Sequence, residues 1–64
     1  MLWRSYCNDG MELTPPEGVK TKKMAIQICK EDNDMLDDFI GAVRYYIEKE
    51  NAYGEVVQKE KLKF

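Results

Sequence analysis

Apolar positions recur with two different periods along this chain. Between residues 32 and 50, Met35, Leu36, Phe39, Ile40, Val43, Tyr46 and Ile47 share one side when successive residues are placed about 100° apart. That spacing predicts an amphipathic helix over residues 35–50. Between residues 23 and 29 the period falls to two, with Met24, Ile26 and Ile28 alternating with Ala25, Gln27 and Cys29. This predicts a strand with one strongly apolar face. Residues 2–7 combine Leu, Trp, Tyr and Cys, a composition that favours a second strand, and Asn8-Asp9-Gly10 supplies a turn into a short arm at 11–13.

A single helix of this length is marginal in water, so strands must cover its apolar side. The expected fold class is α+β: a small two-layer domain with an antiparallel sheet of three or four short strands packed on one amphipathic helix. Thr14-Pro15-Pro16-Glu17-Gly18 reads as a rigid connector, because proline removes ladder donors. Asn51-Ala52-Tyr53-Gly54 reads as the helix end and a turn, followed by a short strand at 55–59 and a mobile tail at 60–64. A helix continuing through Val57 and Phe64 is the competing pattern, weakened by Glu50 and Gly54. The expected core is Leu2 or Trp3 with Met24, Ile26, Ile28, Leu36, Phe39, Ile40, Val43, Ile47 and one C-terminal valine.

Composition narrows the function classes. Sixty-four residues make one domain, 1–64, near the lower size limit for folding without disulfides or metal. A charged fraction of 34% and a net charge of −2 argue against a membrane segment and against a generally nucleic-acid-binding surface. The first residues lack a basic region followed by a long apolar run, so a cytoplasmic location is expected. With two cysteines and no histidine, a disulfide framework, a cysteine-rich zinc site and most histidine-based catalysis are disfavoured. No cofactor is expected.

The charges are segregated. Lys20, Lys22, Lys23 and Lys30 precede Glu31, Asp32, Asp34, Asp37 and Asp38. Asp32 or Asp34, with Asp34 preferred, reads as the N-cap of the helix, and Asp37 and Asp38 suit its first turn. The run only superficially resembles a calcium loop: Asp37 stands where glycine is required, and Val43 where the final glutamate belongs. Asp37 and Asp38 are sequence neighbours and point about 100° apart on a helix, so they do not form an acid/base pair. Cys7 and Cys29 read as free thiols, with Lys30 the one activating neighbour.

These features predict a non-enzymatic protein-interaction module that regulates or inhibits a partner by surface binding. In that reading Asp37 and Asp38 steer a basic surface, while Tyr45 and Tyr53 supply contact area. Two alternatives remain open. One is a nucleic-acid-binding accessory protein using Lys20, Lys22 and Lys23; the other is a structural homodimer with no catalytic role, and a homodimer formed through a sheet edge or an aromatic patch is the expected state of the chain in its own right.

Overall fold

The structure is a computed structural model that describes residues 1–8, 10–35 and 44–63. It contains β1 (Leu2–Cys7), β2 (Met11–Glu12), α1 (Lys22–Asp34), β3 (Tyr45–Glu50) and β4 (Val56–Leu62). The strands form one antiparallel sheet in the order β2-β1-β3-β4, with α1 packed on β1 and β3. The α+β class and single-helix architecture are those the sequence predicts. The segments filling those roles are exchanged.

Residues 23–29, expected as a strand, lie inside α1. Ala25, Ile28, Cys29 and Asp32 carry a helical i, i+3, i+4, i+7 spacing that competes with the period-two pattern in the same stretch. Ala25 and Cys29 are fully buried, whereas Met24, an expected core residue, is half exposed. Asp34 is the last residue of α1 rather than its N-cap. Residues 45–50, expected to end the helix, form β3, which is hydrogen-bonded to β1 on one side and β4 on the other. Two ladders satisfy its backbone and override the helical spacing. The expected core residues Leu36, Phe39, Ile40 and Val43 lie outside the described residues. β4 runs on through Leu62, so residues 60–62 belong to a strand and not to a tail.

Thr21 caps α1, its side chain accepting from the Met24 amide at 3.2 Å. The helix otherwise opposes its own dipole. Lys22 and Lys23 occupy the first turn, and Glu31, Asp32 and Asp34 the last. Part of this cost is offset where Lys22 Nζ meets Glu60 Oε2 at 2.7 Å. Because the charges do not favour this helix end, the cap matters: Thr21→Ala should cost about 1 kcal/mol in urea unfolding, with the slope against denaturant unchanged.

Register places the core. Trp3, Ser5 and Cys7 face the helix side, opposite Lys49, Ile47 and Tyr45 of β3. Ile47 is completely covered, with Ser5, Ala25 and Cys29. Ser5 is small enough for α1 to approach closely, and its hydroxyl donates to the Ala25 carbonyl at 2.6 Å. The Ser5 amide donates to Thr14 Oγ1 at 3.3 Å. Among the described residues every buried side-chain polar atom has a partner, as a small core requires. Trp3 exchanges backbone hydrogen bonds with Val19 at 2.8 and 2.9 Å, tying the connector to β1. The adjacent Gly18 has φ +72°, and a Cβ there would lie 3.1 Å from the Trp3 carbonyl oxygen.

Candidate functional site

The sheet face opposite α1 carries a polar and aromatic surface. Tyr6 of β1 and Tyr46 of β3 are register partners whose rings stack with centroids 5.0 Å apart and planes 12° apart. Lys59 of β4 sets its ammonium 4.5 Å from the Tyr46 ring centroid, a cation–π contact. Arg4 bridges two strands, donating through Nε to Glu50 at 2.7 Å and through Nη1 to Glu12 at 2.9 Å. The hydrogen bonds Arg4 donates to Glu12 and then to Glu50 raise its pKa. Burial, followed by Glu12 and Glu48, raises the Tyr6 hydroxyl. The face therefore presents stacked aromatic rings beside an arginine locked between two carboxylates, a chemistry common at protein contacts.

The β3–β4 hairpin ends in a turn built by Asn51. Its Oδ1 accepts from the Tyr53 amide at 2.9 Å and the Glu55 amide at 3.0 Å, and Gly54 takes φ +79°. Glu50 pairs with Leu2, the first residue of β1, so the turn projects past the end of that strand. Tyr53 is displayed there with 88% of its surface exposed. A bulge between Lys49 and Glu50 adds one residue to the β4 side, beside Val56 and Val57, which remain 50% and 54% exposed. Three well-exposed side chains, Tyr53, Val56 and Val57, thus fall within five residues at the hairpin end.

The sequence-derived candidates are scattered. Tyr53, proposed from the sequence as a contact residue, is exposed and lies at a turn joining two strands rather than ending a helix. Tyr45, expected to be exposed, is 2% exposed. As a β3 residue it points at α1, and its hydroxyl donates to Asp32 Oδ2 at 2.7 Å. Asp37 and Asp38 lie outside the described residues. Lys20 and Lys23 are exposed beside the α1 start, while Lys22 is engaged by Glu60. The Tyr6–Tyr46 pair escaped the sequence reading, and the C-terminal valine expected in the core is not there, since Val56 and Val57 are both half exposed on the outer strand. Alternation of Tyr45 and Ile47 with Tyr46 and Glu48 was the available signal.

Cys7 and Cys29 are buried free thiols. Burial, assisted by Asp32, raises the Cys7 pKa, and burial likewise dominates the raised value of Cys29. This opposes activation by Lys30. The Tyr45 hydroxyl is also pushed up, first by burial and then by Asp32. Groups held protonated in the native state contribute their full stability below their unfolded pKa. That contribution is lost as pH rises through the native value. Stability should therefore begin to fall above about pH 8.5 as unfolded thiols ionise, and again above about pH 10 for the tyrosines. Tm measured from pH 7 to 10.5 checks this, and Cys29→Ala should flatten the first decline. Among the described residues no group of three or more acidic or cysteine side chains is arranged to hold a metal ion, and no helix is long and apolar enough to cross a membrane.

Comparison of the chain with protein-family models, curated proteins and solved structures gave no match in any of the three.

Proposed function

We propose that this chain is a small protein-interaction module that regulates or inhibits a partner by covering part of its surface, with the end of the β3–β4 hairpin as the contact. The observation that carries the reading is Tyr53, 88% exposed on a turn pinned by Asn51 and flanked by two half-exposed valines. A tyrosine on an ordered backbone loses little freedom on binding, and aromatic anchors supply much of the energy of protein interfaces. The stacked Tyr6–Tyr46 pair and the Arg4 bridge extend a mixed polar and aromatic surface from this end. Asp37 and Asp38 are retained as steering charges in the proposal, and a basic partner surface is their complement.

Site-specific photo-cross-linking in the cells that make the protein tests the reading. A cross-linker at position 53 should trap one defined protein, and one at the exposed position 30 on α1 should not. Equal labelling from both positions, or no protein adduct from position 53, would remove the hairpin end as the contact.

A further inference from the structure

We propose that the outer edge of β4 docks an extended acidic segment of another protein, which joins the sheet as a fifth strand. This deepens the protein-binding reading and rests on it. β4 is the last strand in the order β2-β1-β3-β4 and is seven residues long. Its inner side forms the ladder with β3, and among the described residues no strand pairs with its outer side. Such an edge presents backbone donors and acceptors ready to receive an extended chain. The opposite edge, β2, has only two residues and leads into Pro15 and Pro16.

Charge identifies the occupant. Lys59 and Lys61 occupy alternate positions of β4 and so share one face, and Lys63 continues the alternation just beyond the strand. Glu60 lies on the other face and is held by Lys22 at 2.7 Å. Glu48 stands opposite Lys59 on β3, but the Lys59 ammonium lies over the Tyr46 ring. An incoming strand with carboxylates at every second residue would set them beside these lysines, where opposite charges across a ladder are favourable. The same pattern works against a second copy in two registers. An antiparallel register pairing all seven β4 residues sets Lys59 against Lys59, and a shift of two in the paired numbering sets Lys59 against Lys61 and Glu60 against Glu60.

The test titrates three seven-residue peptides into the full chain: alternating Glu and Val, the same peptide with a central proline, and alternating Lys and Val. Backbone amide shifts and hydrogen exchange are read by NMR. The Glu–Val peptide should shift and protect amides of residues 56–62. Its affinity should fall with salt and drop at least tenfold in the Lys59→Glu, Lys61→Glu double variant, whose circular dichroism should match the parent. The proline and Lys–Val peptides should bind at least tenfold more weakly. Equal binding of the proline peptide would overturn strand addition, and equal binding of the Lys–Val peptide would overturn charge selection. No binding of the Glu–Val peptide would leave the lysines as guards against self-pairing and overturn the proposal. If that failure coincides with a retained cross-link at position 53, the interaction reading stands alone; loss of the cross-link with retained peptide binding separates the two in the other direction.

Discussion

Replacing Ile47 with alanine should lower the stability of this domain by about 2–5 kcal/mol. At about 0.05–0.15 kcal/mol per residue, the whole fold is held by about 3–10 kcal/mol, so this one substitution should remove a large share of its stability. The size of the effect follows from position. Ile47 is fully covered on the central strand β3, opposite Ser5 of β1 and Glu60 of β4, with α1 on the same face. Ser5 is too short to fill a cavity left beside it, and its hydroxyl is already committed to the Ala25 carbonyl. Urea unfolding followed by fluorescence of Trp3, the chain's one tryptophan, should show a lower midpoint with an unchanged slope. Val57→Ala, at a half-exposed position of β4, should change stability by no more than about 0.5 kcal/mol. An Ile47→Ala loss within that same range would mean that the core does not lie between β3 and α1.

Tyr53→Ala should have the opposite profile, leaving stability unchanged while weakening partner binding about thirtyfold, the equivalent of about 2 kcal/mol for a buried aromatic anchor. Its side chain is almost wholly exposed. The turn that carries it is made by Asn51 and by backbone hydrogen bonds the substitution keeps. Val56→Asp should add to the loss by placing a charge in the same contact. Met35→Ala is the matched control, since Met35 is also highly exposed but follows α1, whose Asp32 reaches the first residue of β3, the end away from the hairpin turn. Titration against the cross-linked partner separates the cases. Affinity within threefold of the parent for Tyr53→Ala would shift the contact from the hairpin end to the Tyr6–Tyr46 face.

The sequence by itself determined the features that depend on local chemistry. β1 is where its aromatic-rich composition places it, the chain turns at Asn8 to Gly10, with Gly10 at φ +91°, and Gly54 supplies the turn after residue 50. One helix and an antiparallel sheet follow from the amount and patterning of apolar residues, and the place of Tyr53 in a turn follows from Asn51 and Gly54 around it. Which stretch became the helix was decided only by tertiary structure. Residues 24–28 carry apolar residues at period two, while Ala25, Ile28, Cys29 and Asp32 carry a helical spacing. The small Ser5 and the acceptor it finds in Ala25 favour the helix from across the sheet. The acidic run misleads for a related reason: acids suit helix N-termini, but here Glu31, Asp32 and Asp34 lie at a C-terminus, where Asp32 receives the Tyr45 hydroxyl. Residues 45–50 became a central strand because β1 and β4, distant in sequence, satisfy both sides of their backbone. The same long-range pairing creates the Tyr6–Tyr46 stack and leaves β4 at an edge, since no local pattern specifies which strands become neighbours.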